Sequence, residues 1–167
     1  HSICRRLVNE HLHRTHFGHD YELLDQFTQK LLIFRNLEGL CSKFKGTEKL
    51  FEQRWTTPWN IAKNLQYFFN LITDNLIADE LKRRFPNENA CQNAKEKLLY
   101  HTLQVYNQYR RLLVNTNSMD FAYMQKSAYN LLTDPEVAPR ITKDIRYVLV
   151  DEYQDTNYIQ EQILTLL

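Results

Sequence analysis

The residues with the most evident capacity for chemistry form one block, Val148-Leu149-Val150-Asp151-Glu152-Tyr153-Gln154-Asp155-Thr156-Asn157. Two adjacent carboxylates follow an apolar run. If that run is a strand covered on both faces, its backbone holds Asp151 at the C-terminal edge of a sheet, where open α/β sheets bind ligands. A carboxylate there can hold Mg²⁺, usually through water, while the metal bridges nucleotide phosphates. Glu152 beside it can orient and deprotonate the water that attacks a γ-phosphate. An acidic pair that merely caps the next helix is the plainer alternative, and the doublet by itself leaves both open.

Other groupings invite a role. Lys43, Lys45, Lys49 and Arg54 beside Trp55, and Lys82-Arg83-Arg84, are candidate phosphate-contacting patches. Tyr106, Tyr109, Arg110 and Arg111 mix aromatic and basic side chains as single-strand binders do. Against each patch stands a solvated helix face, and against the tyrosines a core stripe. His11, His13, His16 and His19 fall close together, but no Cys or carboxylate completes a tetrahedral set, so a polar helix end is expected there rather than zinc.

Positioning these side chains falls to a chain of mostly helical pattern. Of 167 residues only three are Gly and four Pro, which favours helices over a turn-rich β fold. Hydrophobic residues at 43% and charged residues at 25% fit one folded domain. A first helix is expected over residues 3 to about 13, then a short extended segment at 21–24. Asp25 is expected to cap a helix running to about residue 37 and closed by Gly39. The charged stretch 41–54 carries a short helix at most.

Thr57-Pro58 starts a helix with Ile61, Leu65, Phe68, Phe69, Ile72 and Leu76 on one face. Phe85-Pro86-Asn87 breaks the charged segment after it. A longer helix spans about 88–114, burying Leu98, Leu99, Leu103, Val105, Tyr106, Tyr109, Leu112 and Leu113. A polar turn at 115–119 leads to Asp120, which caps a helix burying Phe121, Met124, Ala128 and Leu131. Asp134-Pro135 starts a further short helix. Residues 145–150 read as a strand, and a terminal helix covers about 157–167.

The block Asp151-Glu152-Tyr153-Gln154-Asp155-Thr156-Asn157 resembles motif II, the Walker B element, of superfamily 1 DNA helicases of the UvrD/Rep/PcrA type. Ser118-Met119-Asp120-Phe121 is similar to the Met-Asp-Phe-Asp-Asp-Leu pattern that precedes motif II in that family. Here Ala122 and Tyr123 replace the usual acidic residues, and Asp120 is expected to act as a plain helix cap. His1-Ser2-Ile3-Cys4-Arg5-Arg6-Leu7 resembles the tail of the family's Thr-Phe-His-Ser segment, a DNA-contacting motif, without its Thr and Phe.

The resemblance implies a mostly α architecture in two parts. Residues 1–144 would form a helical insertion like domain 1B, with a flanking domain 1A helix at its start. Residues 145–167 would form the Walker B strand and following helix of the RecA-like α/β domain 1A. It further implies Mg²⁺ on Asp151, water activation by Glu152, and nucleotide contacts from Asp151, Gln154 and Asp155. His1, Ser2, Lys43, Lys45, Arg54, Trp55, Arg110 and Arg111 are the residues to which it points as DNA contacts.

The activity implied by the same resemblance is that of an ATP-dependent helicase. It would move 3′ to 5′ on single-stranded DNA and unwind duplex junctions, serving repair or replication with Mg²⁺ and ATP. A phosphate-binding loop needs Gly-x-x-x-x-Gly-Lys-Ser/Thr, and Gly18, Gly39 and Gly46 do not supply one. This segment is therefore expected to be one part of a longer protein and, by itself, not to hydrolyse ATP. Rival readings are a helical DNA- or protein-binding module, and part of a helicase-nuclease of the RecB or AddA type.

A net charge of +1 gives no global nucleic-acid signal. Three cysteines without metal spacing point to thiols in a reducing cytoplasm, and no apolar run reaches the roughly 18 residues of a membrane span. An unpaired apolar strand at 145–150 is expected to pair with another copy, lie on the helical body, or be poorly ordered.

Overall fold

A computed structural model describes residues 2–41 and 57–167. In chain order these form α1 (Ser2–Glu10), a 3₁₀ turn (Leu12–Arg14), β1 (Glu22–Leu24), α2 (Gln26–Arg35) and α3 (Leu37–Cys41). Next come α4 (Pro58–Asp74), α5 (Ala78–Arg84), a 3₁₀ turn (Glu88–Ala90), α6 (Ala94–Asn115), β2 (Ser118–Asp120) and α7 (Phe121–Thr133). The last elements are α8 (Ala138–Thr142), a 3₁₀ turn (Tyr153–Asp155) and α9 (Tyr158–Leu166). The protein is mostly helical, as expected. The expected short helix within 41–54 falls, apart from Cys41, outside the described residues.

The starts of these helices follow from local chemistry. Asp25 accepts the Thr28 amide at 2.7 Å, Thr57 the Asn60 amide at 3.3 Å with Pro58 at the first turn, and Asn93 the Glu96 amide at 3.0 Å. Each satisfies a backbone donor that the helix itself cannot. Asn157 makes a reciprocal capping box with Gln160 at the head of α9, both bonds 3.1 Å.

Ends were less legible. Gly39 lies inside α3 rather than closing α2, and α1 stops at Glu10. The expected helix from 88 begins as a 3₁₀ turn and becomes α-helical only after Asn93. Helix α4 ends on Leu76, in the left-handed region at φ 55°. Its amide reaches Thr73 O and that of Ile77 reaches Ile72 O, a close that Gly or Asn usually makes.

Helix α7 is the hub. It packs against α1, α4, α8, α9 and β2, while α2 lies on α4 and α5 on α6. Val8, Ile33, Phe69, Leu103, Leu113, Met124 and Ile159 meet in one fully buried core, to which α9 contributes Ile159 and Ile163. Leu98 and Leu99, expected in the core, are exposed on the outer side of the 22-residue α6. Phe68 is likewise exposed on the outer side of α4.

Residues 118–120 correct another expectation. Instead of a polar turn they form β2, paired in parallel with β1 so that Leu23 faces Met119 and Leu24 faces Asp120. Each short strand feeds a helix through an aspartate cap, Asp25 for α2 and Asp120 for α7. No helix among the described residues is long and apolar enough to cross a membrane.

Candidate functional site

The expected strand at 145–150 does not form. These residues are irregular and lie outside any ladder, because the only strands among the described residues, β1 and β2, pair with each other. A strand exists only as part of a hydrogen-bonded pair, and a lone apolar segment turns its side chains to water. Tyr147 is 90% exposed and Leu149 97%. Asp151 therefore stands on an exposed bend and not at a rigid sheet edge.

The acidic turn has a definite internal geometry nonetheless. Glu152 sits in the left-handed region at φ 51°, ψ 44°, and its amide donates to Asp151 Oδ1 at 3.0 Å. Gln154 donates its side-chain amide to Glu152 Oε2. The adjoining 3₁₀ turn is closed by Thr156, whose hydroxyl donates to Tyr153 O at 2.8 Å, and runs directly into the Asn157 capping box. Tyr153 donates to Glu161 Oε1 at 3.3 Å, fastening the turn to the flank of α9. Asp151, Glu152 and Asp155 are all exposed, and among the described residues no Lys or Arg neutralises them.

The donor chemistry suits Mg²⁺, which takes one or two carboxylates and keeps waters and substrate phosphates as its other ligands. A cage built from protein alone is not present among the described residues: no three His, Cys, Asp or Glu side chains there come together around a point. That holds for His11, His13, His16 and His19 as well.

Of the expected nucleic-acid residues, His1, Lys43, Lys45, Lys49, Arg54 and Trp55 lie outside the described residues. Ser2 is exposed at the start of α1, beside a groove shared with Arg5, Arg6 and Phe121. Arg110 and Arg111 line a cleft of about 550 Å³ together with Lys82 and His16. Sequence treated Lys82 and Arg110-Arg111 as separate patches; packing of α5 on α6 makes them one.

The tyrosines take the structural role instead. Tyr106 is 3% exposed and Tyr109 2%, with Tyr109 stacked on Phe69 at 4.6 Å between centroids. Burial makes both phenols weaker acids than usual.

Sequence also missed the buried polar knot around Asp120. Its Oδ1 accepts the Tyr123 amide at 2.7 Å, and its Oδ2 accepts Tyr109 Oη at 2.5 Å and Gln29 Nε2 at 3.0 Å. Gln29 in turn contacts Asn70 and Gln66, so the knot joins α2, α4, α6 and α7. Burial pushes the Asp120 carboxyl above the usual carboxylate range, while the Tyr109, Tyr123 and Gln29 donors pull it back in part. The exposed cap Asp25 is instead lowered, by the Thr28 amide and hydroxyl.

A predominantly helical body thus carries an exposed acidic Asp-Glu-Tyr-Gln-Asp-Thr-Asn turn ahead of its last helix. Residues 1–167 match the UvrD/REP helicase N-terminal domain, and the chain belongs to that family. It is 27% identical over 171 residues to the ATP-dependent DNA helicase PcrA of Staphylococcus aureus (strain Mu50), covering 100% of this chain and 20% of that protein. Against the ATP-dependent DNA helicase Rep of Buchnera aphidicola it is 27% identical over 169 residues, 100% of this chain and 23% of that protein. An ATP-dependent helicase/nuclease of Staphylococcus haemolyticus is 28% identical over 149 residues, 86% of this chain and 11% of that protein. The chain thus spans less than a quarter of the length of each of these relatives.

Proposed function

We propose that this chain is part of an ATP-dependent DNA helicase that moves 3′ to 5′ on single-stranded DNA and opens duplex at a junction, in repair or replication. The observation that carries the reading is the acidic turn, Asp151 to Asn157, in a chain whose whole length matches a helicase N-terminal domain. In this reading residues 1–144 are a 1B-like helical insertion with a flanking 1A helix, and 145–167 are the Walker B strand and following helix of a RecA-like domain 1A.

Asp151 would hold Mg²⁺, which when bound would supply charge compensation to the nucleotide phosphates, and Glu152 would take the proton of the attacking water. Gln154, whose amide already engages Glu152, and Asp155 relay the nucleotide's state toward α9. Ser2, Arg110 and Arg111 face DNA, together with His1, Lys43, Lys45, Arg54 and Trp55. The 145–150 segment becomes a strand once parallel neighbours flank it, which explains an apolar run that is exposed here.

The 167 residues contain no phosphate-binding loop, so the isolated chain is proposed to be inactive toward ATP. The test compares the isolated chain with the longer gene product. DNA-stimulated ATP hydrolysis should be absent from the chain and present in the longer protein. Glu152→Gln in the latter should reduce hydrolysis by at least about a hundredfold, the scale of general-base loss, while nucleotide binding persists. Hydrolysis by the chain alone, or an unaffected Glu152→Gln protein, refutes this. The similarity to a helicase/nuclease favours a second reading, the RecB/AddA type, for which nuclease activity of the longer protein is the discriminating assay.

A further inference from the structure

We infer that the cleft between α5 and α6 is a groove for the DNA phosphodiester backbone, recognised by charge and amide donors and not by base stacking. The inference rests on the DNA-binding reading above and locates it on the folded body.

The cleft, about 550 Å³, is lined by Lys82, Arg110, Arg111 and His16 and by the amides of Gln104 and Asn107, with no carboxylate among the described residues of its wall. Gln104, Asn107, Arg111 and Asn115 recur at spacings of about three to four along α6 and so form one continuous helical face, which spans about 16 Å at helical rise. That is room for several consecutive phosphates at about 3.4 Å of axis per charge on one strand.

Some cations elsewhere on the surface are engaged, Arg14 with Glu136 at 2.9 Å, Arg84 with Glu96 at 3.7 Å and Arg6 with Glu10 at 4.0 Å, while others such as Lys63 and Arg83 stand alone among the described residues. Among the described residues neither Lys82 nor Arg111 has an acidic partner. Asp79 is the acid whose charge reaches Arg110 and Lys126, one carboxylate against several cations. Burial leaves the Lys126 ammonium more acidic than usual; the opposing pull of Asp79 comes next and the push of Arg110 last.

Arg110 is pre-set for an anion. Its guanidinium lies 5.3 Å from the Tyr123 ring centroid and 5.9 Å from that of Tyr106, and donates to Tyr123 Oη at 3.2 Å. Its Nε is buried without a hydrogen-bond partner. Holding a planar fork this way reduces the entropy lost when phosphate binds. The same packing removes the aromatic rings from use, since Tyr106 and Tyr123 are buried at 3% and 8% exposure. Among the described residues of the cleft only the His16 imidazole is an exposed ring, so recognition should lean on phosphate contacts, weakly dependent on sequence and steep in salt.

The experiment is fluorescence anisotropy of labelled single-stranded and duplex DNA with the 167-residue chain at two salt concentrations. Lys82→Glu, Arg111→Glu and the double variant are compared with Lys63→Glu on the outer side of α4. Each neutral change, Lys82→Gln or Arg111→Gln, should reduce the slope of log affinity against log salt by about 1. The double Glu variant should weaken both DNA forms at least about tenfold, with Lys63→Glu unchanged and all variants retaining the helical circular dichroism of the parent. If the parent binds DNA and the double variant binds equally well, the cleft assignment is overturned while the DNA reading survives. Absence of any binding by the parent at low salt overturns both. Displacement of DNA by inorganic pyrophosphate at equal phosphate concentration identifies a small-anion site and overturns the backbone assignment.

Discussion

Tyr109 donates its phenolic hydrogen to Asp120 Oδ2 at 2.5 Å, fastening the middle of α6 to the junction where β2 becomes α7. Both groups are buried, Asp120 at 3% exposure, so neither can exchange this bond for water. Tyr109→Phe keeps the ring on Phe69 and removes only the hydroxyl. It should cost about 1–3 kcal/mol, the scale for leaving a buried acceptor short of a donor. Asp120→Ala loses the cap of α7 as well and leaves the Tyr109 hydroxyl without its acceptor, for about 2–4 kcal/mol in all. Urea denaturation measures both. A Tyr109→Phe protein as stable as the parent would show that the bond adds nothing.

The same carboxylate sets a pH dependence. Burial raises the Asp120 carboxyl above its unfolded value, so the folded chain holds that proton to higher pH than the unfolded one. The stability it contributes is fully present below the ordinary Asp value near 4 and is lost as pH rises through the folded value. Asp74 has the same sign, raised by burial and then by the charge of Asp120, whereas Asp25 is lowered and acts oppositely. Asp120→Asn keeps an acceptor for the Tyr123 amide but cannot titrate. The stability of the parent minus that of Asp120→Asn should therefore fall as pH rises past the ordinary Asp value and level above the folded one. A difference constant across that range would contradict the burial argument.

Legibility from sequence divides along the range of the forces involved. Asp25, Thr57 and Asp120 act on amides three residues away, and their capping roles were legible from residue type and position. The identity of β2 was not, since Ser118-Met119-Asp120 becomes a strand only by meeting residues 22–24 across nearly a hundred positions of chain. The reverse error occurred at 145–150, where composition favours a strand but no ladder partner is present among the described residues. Lys82 and Arg110 likewise come together through helix packing that no local pattern encodes, although the polar face of Gln104, Asn107 and Arg111 was there to be seen. The site's residue types were legible and its geometry was not.

Glu152 carries a left-handed backbone, φ 51°, without the freedom of glycine. A side chain there costs roughly 1 kcal/mol. Glu152→Gly should therefore leave the chain at least as stable, by up to about 1 kcal/mol, since its exposed carboxylate has no ion pair to lose among the described residues. In the longer gene product the same change removes the group proposed to activate water, and ATP hydrolysis should vanish. A gain in melting temperature with loss of turnover is the expected pair of results. Destabilisation by Glu152→Gly would mean that the Glu152–Gln154 contact matters more to the turn than backbone strain does.

Tyr147 and Leu149 present almost their whole side chains to water, and Val148 and Val150 are each 40% exposed. Four consecutive β-forming residues outside any ladder are a template for a second chain, because pairing satisfies the amides and buries the apolar faces together. Neighbouring Arg146 and Asp151 bear opposite charges, so antiparallel pairing can set one against the other without like-charge repulsion. The isolated chain should therefore show a weight-average mass that grows with concentration in analytical ultracentrifugation. Replacing Tyr147 and Leu149 by Lys charges the edge and removes the apolar side chains that pairing would bury, and should restore the monomer. Because neither side chain belongs to the buried core, thermal stability of the monomer should change by less than about 0.5 kcal/mol. A parent chain that stays monomeric at high concentration would show that this segment is held away from pairing by the helical body itself.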